Sequence, residues 1–194
     1  VSFSKKEFLF FCDADILLNR ECFDLFNDSC LNNHAFYIEN VIEKEHVFEK
    51  SKFKKSRNYE MKFELNDGRI IIIPLNKVNY DQNSVRGCGL IFVNKLHFIS
   101  INGFNSNLTT WGWEDIDFMT RLMLKENIMI KGIGTAIHLT HSNINRNLKG
   151  LSKTESEENN FQKCLNNYHM GNYDGTYITD IINIEDITNT IRLI

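Results

Sequence analysis

The 194-residue sequence has no run of about twenty apolar residues, so it encodes no transmembrane helix. It has no Cys-x-x-Cys pair. Its five cysteines, Cys12, Cys22, Cys30, Cys88 and Cys164, form an odd, irregularly spaced set that reads as free thiols in a reducing compartment. It has no excess of positive charge, and a net charge of −3 implies no general affinity for nucleic acid or an anionic membrane. No internal repeat, initiator Met or signal-like start is visible. Proline occurs once, while Asn, Ile and Lys are abundant, which points to a biased genome and says little about mechanism. The length suffices for one domain with a full core.

The richest stretch runs from Asn102 to Arg121. Trp111 and Trp113 flank Gly112, and Glu114, Asp115 and Asp117 follow within four residues. Ile116, Met119, Leu122 and Met123 then recur at helical spacing, with Glu114, Asp117, Arg121 and Lys125 on another face. The spacing predicts a loop feeding a helix. Acids in a first helical turn are favoured by the positive end of the macrodipole, which accounts for the carboxylates alone. It does not account for the two tryptophans. Trp beside carboxylates is a sugar-binding composition: a ring face stacks on apolar C–H groups, and carboxylates accept hydroxyl hydrogen bonds.

This stretch resembles the acceptor and catalytic motif of the β-1,4-galactosyltransferase group and of bacterial chondroitin-type polymerases. The family pattern of Asn-Gly-Phe, a short loop, Trp-Gly and a Glu-Asp-x-Asp run maps onto Asn102-Gly103-Phe104, Trp111-Gly112 and Glu114-Asp115-Ile116-Asp117. Trp113 stands where the family usually has glycine, and Ile116 where it often has a further aspartate that holds the acceptor sugar. Both departures bear on the acceptor rather than on the reaction class.

Taken in order, the chain supports the resemblance. Phe8–Phe11 is a continuous apolar run, expected to be a strand buried on both faces of a parallel α/β sheet. Carboxylates at the end of such a strand sit where open α/β sheets bind ligands. Asp13 and Asp15 therefore resemble the Asp-x-Asp signature of GT-A glycosyltransferases, although two aspartates there also suit a simple turn. Too little chain precedes this strand to supply its neighbours, so the expectation is an incomplete protein lacking an N-terminal, nucleotide-binding half. Residues 20–33 are expected to form a helix carrying Cys22, Phe23 and Phe26 inward, and residues 36–47 a strand that turns polar. Lys50, Lys52, Lys54, Lys55 and Arg57 read as a solvated charge run, or as a dock for an anionic glycan. Residues 60–75 read as a hairpin about Asn66-Asp67-Gly68. Residues 40–80 are longer than their counterpart in animal galactosyltransferases and are taken as a family-specific insertion.

Residues 85–93 read as a strand, and residues 94–101 as a short helix. Gly87 and Gly89 in that strand mark either close approach of a ligand or a bulge with tight packing. The resemblance implies the former, with Arg86, Gly87 and Gly89 lining the donor. Residues 128–137 read as a strand with a Lys-Gly-Ile-Gly turn, leading to His138 and His141. Imidazole with carboxylate suits manganese and similar ions. The family's terminal metal-ligating His maps onto His141, and its Met ligand three residues earlier onto His138. Residues 143–158 read as a polar loop, either a lid or simply solvated. Residues 161–169 read as a helix, Gly171–Gly175 as a turn, and residues 176–182 and 187–194 as a closing strand pair.

The fold class expected is α/β: a single, partial GT-A domain over residues 1–194 with a mixed central sheet flanked by helices. The resemblance implies a metal-dependent inverting glycosyltransferase moving galactose, an N-acetylhexosamine or a similar sugar from a UDP-sugar to a glycan or glycoconjugate acceptor. Asp15, His138 and His141 would hold Mn²⁺, or Mg²⁺, against the diphosphate. Asp13 would contact the donor ribose or sugar, and Asp115 would act as general base. Trp111, Gly112, Trp113, Glu114 and Asp117 would bind the acceptor or brace its loop. Rival expectations are a retaining enzyme resembling the polypeptide N-acetylgalactosaminyltransferases, a non-catalytic sugar-binding module, and a metal-dependent phosphoesterase. The last would want a denser His and Asp cluster. The compartment expected is the cytoplasm or the face of the inner membrane in a bacterium, with the Golgi lumen less favoured.

Overall fold

The structure, a computed structural model, describes residues 4–29, 34–44, 56–65, 68–139 and 149–192. Within these residues the chain divides into two compact units, where the sequence suggests one domain. The first comprises Val1–Lys95 with Asn127–Asn145, and the second Leu96–Glu126 with Arg146–Ile194. No helix among the described residues is long and apolar enough to cross a membrane.

Among the described residues, the first unit is a mixed seven-stranded sheet with one helix. Its strands are β1 (Phe8–Phe11), β2 (Ile16–Leu18), β3 (His34–Glu43), β4 (Ser56–Glu64), β5 (Ile70–Asn79), β6 (Ser84–Asn94) and β7 (Met129–His138). The order is β2-β7-β3-β6-β5-β4, with β1 also paired to β6. Only β3 and β7 pair in parallel; the other pairings are antiparallel.

Helix α1 (Arg20–Ser29) covers one face. It begins where the Asn19 side chain accepts from the Cys22 N–H at 3.0 Å, an N-cap contact. Cys22 and Phe26, one turn apart, are buried with Ile38, Val41, Leu90 and Ala136. Phe26 stacks on Phe92 at 4.5 Å between ring centroids and meets Phe10 at 5.1 Å. Burying one such ring stabilises by roughly 1.5–3 kcal/mol. Phe23, expected inward, is half exposed, because it lies beside the Cys22–Phe26 stripe that is buried on the sheet.

Two expectations about this sheet are corrected, and a third holds. β1 is not a central parallel strand. It pairs antiparallel with β6, Phe8 opposite Asn94, and only Leu9 is fully buried. Its phenylalanines lie against other rings, Phe8 on Phe92 at 5.3 Å, so an apolar run of aromatics mimicked burial on both faces. β7 runs straight through Lys131–Gly134 without turning. Gly134 takes φ +66° within the strand, and a Cβ there would lie 3.1 Å from the Cys22 sulfur. The predicted hairpin forms as β4 and β5, with Phe63 opposite Ile71. Its tip residues Asn66 and Asp67 lie outside the described residues, as do Lys50, Lys52, Lys54 and Lys55.

The second unit contains α2 (Lys95–Ser100, all but its first residue), α3 (Glu114–Glu126), α4 (Lys153–His169) and α5 (Tyr177–Arg192). Phe98, Phe104, Phe118 and Tyr177 form its aromatic core, with Phe104 stacked on Phe118 at 4.5 Å.

Two corrections arise here as well. The polar stretch read as a loop or lid becomes α4 from Lys153 onward. Ser152 and Glu155 make a reciprocal capping box, and side-chain hydrogen bonding from Ser152 lowers the Glu155 pKa. Residues 143–148 lie outside the described residues. The expected strand pair over 176–194 is helix α5 instead. The Thr176 carbonyl accepts from the Asp180 N–H at 2.8 Å, and its hydroxyl donates to the Asp180 carboxylate at 2.7 Å. The β-branched isoleucines suggested strands, but this start and the packing of Tyr177 on Phe98 override their propensity.

Candidate functional site

In the first unit, strand register assembles a group around His138. Antiparallel pairing of β2 with β7 sets Ile16 opposite His138, which brings Asp15 alongside. Parallel pairing of β3 with β7 sets Glu43 opposite His138. His138 Nε2 lies 3.3 Å from Asp15 Oδ2, and Nδ1 lies 2.8 Å from Glu43 Oε2. Burial, the largest single influence, lowers the His138 pKa. The hydrogen bond and charge of Glu43, with those of Asp15, outweigh it, so the net pKa is raised.

Two of the three predicted metal ligands, Asp15 and His138, are thus in contact. The third, His141, lies outside the described residues. A carboxylate oxygen and an imidazole nitrogen suit a divalent cation. Among the described residues, however, no group of three or more His, Cys, Asp or Glu is arranged to hold one. Glu43 was not anticipated from sequence, since only the parallel register places it on His138. Asp13 is exposed in the turn after β1. Cys12, Cys22, Cys88 and Cys164 are free thiols, and Cys30 lies outside the described residues.

The predicted donor strand is occupied by its own neighbours. A Cβ on Gly87 would lie 2.5 Å from Val41 Cγ2 and 3.2 Å from the Ile38 carbonyl. The β3–β6 register shifts on both sides of Ile38, which pairs with Gly87. Gly87 thus permits the close approach of β3 at a bulge, the second of the two readings its position allowed. Gly89 is half-buried on the same strand. Arg86 is buried, with its guanidinium 5.5 Å from the centre of the Tyr37 ring, 3.7 Å from Glu39 and in reach of the Leu75 carbonyl. Glu39 also pairs with Lys77. Burial first, and then the hydrogen bond to Glu39, push the Tyr37 phenol well above its usual range. This network was not foreseen.

In the second unit, the Trp-Gly-Trp loop opens α3 as expected. Gly112 has φ +100° and Trp113 φ +74°, both in the left-handed half of the map. The Trp113 carbonyl then accepts from the Asp117 N–H at 2.7 Å, the first hydrogen bond of the helix. Glu114 is exposed and Asp115 half-buried, with Asp115 Oδ1 accepting from the Ile116 N–H at 2.8 Å. Trp111 carries Lys153 Nζ over its ring at 4.3 Å, and Trp113 packs on Phe161 at 4.6 Å.

Asp117, expected to orient an acceptor or brace the loop, is 0 % exposed. Arg121 Nε donates to its Oδ2 at 2.8 Å, and the Tyr168 hydroxyl to its Oδ1 at 2.8 Å. Arg121 also donates to the carbonyls of Ile101 and Gly103. Burial, followed by the Asp117 charge, raises the pKa of Tyr168 and Cys164, so both stay protonated beside that carboxylate. Asp117 is therefore buried and held by partners within the protein.

The Asn-Gly-Phe turn is architectural too. Asn102 Nδ2 donates to the Gly175 carbonyl at 2.9 Å, and its Oδ1 accepts from the Ile178 N–H at 2.8 Å. Gly103, at φ +64°, leaves room only for Phe98 and Tyr177.

Comparison with known proteins agrees with these motifs. Residues 68–142 match the family model described as the N-terminal domain of galactosyltransferase. The match covers less than half of the chain and supports a galactosyltransferase-like glycosyltransferase. It includes Arg86, the Trp-Gly-Trp loop, Asp115, His138 and His141, but not Asp13 or Asp15. No curated protein and no solved structure gives a significant match.

Proposed function

We propose that this chain carries catalytic residues of a metal-dependent, inverting glycosyltransferase that uses a nucleotide-sugar donor and a glycan acceptor hydroxyl. The observation that carries this reading is the contact between Asp15 and His138. These residues stand 123 positions apart, and the second lies inside the galactosyltransferase match. Asp15 and His138, with His141, would hold a divalent cation, Mn²⁺ or Mg²⁺. Bound there, the cation would offset negative charge on the departing diphosphate. UDP as the nucleotide follows from resemblance alone.

The acceptor side of this proposal rests on the Trp-Gly-Trp loop and the start of α3. Asp115 takes the proton of the attacking hydroxyl, and Glu114 and the tryptophans receive the sugar. The hydrogen bond from the Ile116 N–H orients the Asp115 carboxylate.

Calorimetry of UDP binding with and without Mn²⁺, comparing the wild type with Asp15→Ala, tests the donor side. Binding should depend on the metal and vanish in the variant, and metal-independent binding would refute the site. Asp115→Asn should lower turnover by about 100-fold or more while leaving UDP binding intact. Inversion is read from the anomer of the product.

A further inference from the structure

One stripe of α4 falls on the Trp-Gly-Trp loop. Lys153, Ser156, Glu157, Asn160 and Phe161 follow the i, i+3, i+4, i+7, i+8 spacing of a single helix face, and each meets the loop. The buried Asn160 amide donates to the Thr110 carbonyl at 2.9 Å and to the Gly112 carbonyl at 2.7 Å. The intervening Trp111 carbonyl accepts from the Ser156 hydroxyl at 2.5 Å, and Ser156 is equally buried. Glu157 packs against Gly112, where an added Cβ would lie 2.9 Å from its Cγ. Phe161 backs Trp113, and Lys153 lies over Trp111.

These contacts have a physical cause. Thr110, Trp111 and Gly112 precede α3, whose own hydrogen bonding starts at the Trp113 carbonyl, and a buried carbonyl without a donor is costly. Two side chains of α4 satisfy three consecutive carbonyls. The next carbonyl, that of Trp113, opens α3, and Asp115 stands two residues beyond it. The orientation of this peptide run therefore sets the directions of both tryptophan rings and of the first turn that carries Asp115.

We propose that Asn160, assisted by Ser156, is a positioning residue that fixes the acceptor loop and, through it, Asp115. The catalytic half of this proposal rests on the glycosyltransferase reading; the positioning of the loop does not. Trp111 and Trp113 are the only tryptophans in the chain, so intrinsic emission reports this loop directly.

The test compares the wild type, Asn160→Asp and Ser156→Ala. Asp keeps the shape of Asn, loses both donor hydrogens and sets a carboxylate against two carbonyls. In Asn160→Asp the tryptophan emission should shift to the red and become more accessible to acrylamide. Turnover should fall at least tenfold while the dissociation constant for UDP with Mn²⁺ stays within twofold of wild type. Ser156→Ala should move the same quantities in the same direction by a smaller factor, and it decides the matter if Asn160→Asp does not fold. Unchanged emission and turnover in a folded variant would overturn the proposal. So would a parallel loss of UDP binding and turnover, which marks a merely structural role. Shifted emission together with a wild-type chain that transfers no sugar would uphold the positioning of the loop and refute the glycosyltransferase reading.

Discussion

Replacing Arg121 with Met should destabilise the second unit by about 4–6 kcal/mol. Arg121 is 1 % exposed and Asp117 is fully buried. Three guanidinium contacts are lost together: Nε to Asp117 at 2.8 Å, and NH1 to the carbonyls of Ile101 at 3.0 Å and Gly103 at 2.7 Å. Breaking a buried ion pair from one side costs roughly 3–5 kcal/mol, because the remaining charge has no counterpart. Each abandoned carbonyl adds about 1–3 kcal/mol, less what relaxation and entering water recover. The Tyr168 hydroxyl still donates to Asp117, which limits the total. Against a typical folding free energy of about 5–15 kcal/mol this is a large fraction. Urea titration followed by tryptophan emission reads the second unit, since both tryptophans lie there. The double variant Asp117→Leu/Arg121→Met should be more stable than Arg121→Met alone, because it leaves no buried charge. A single-variant loss below about 2 kcal/mol, or a double variant no better than the single, would refute this account.

Three further outcomes are expected. The folded-state pKa of His138 is raised, chiefly by Glu43 against the opposing effect of burial. Its contribution to stability is therefore full below the unfolded-state pKa of about 6.5 and is lost as pH rises through the folded-state value. Metal-free thermal melts across this range should show that decline, and Glu43→Gln should flatten it. Gly112→Ala should cost about 1–3 kcal/mol through its φ of +100°, with the Glu157 side chain giving way to the new methyl, as a lowered melting temperature would show. Ser152→Ala removes the oxygen that caps α4 and should cost about 1 kcal/mol in urea unfolding.

What the sequence disclosed was governed by how local each signal is. The acids after Trp113, the residue 60–75 hairpin and the short helix after β6 are specified within a few residues, and each appeared where expected. The Ser152-x-x-Glu155 signal was equally local, but the polar surroundings suggested a loop and hid it. Phe8–Phe11 and the isoleucines of α5 misled because apolar or β-branched runs do not reveal what packs against them. Asp117 and Arg121 were placed on a polar face because periodicity counts charges as solvent-facing. Only the fold shows that the two neutralise each other in the core. Glu43 was illegible for a different reason: its partner comes from a strand nearly a hundred residues away, and only register brings them together.

The same division separates two roles within the most recognisable motif. Asn102, Gly103, Gly112 and Asp117 match the family pattern, yet each is held by contacts within the protein. Trp113 stands where the family usually has glycine, and it adopts the positive φ that glycine tolerates best. Its stack on Phe161 helps to offset the strain. A match over this segment is therefore mainly a statement about the shape of a loop and the start of a helix. Trp111 and Asp115 are half-buried and Glu114 is exposed, and the first two also have partners within the protein, Lys153 over the Trp111 ring and the Ile116 N–H on Asp115. The two departures from the family pattern, Trp113 and Ile116, interleave with these positions.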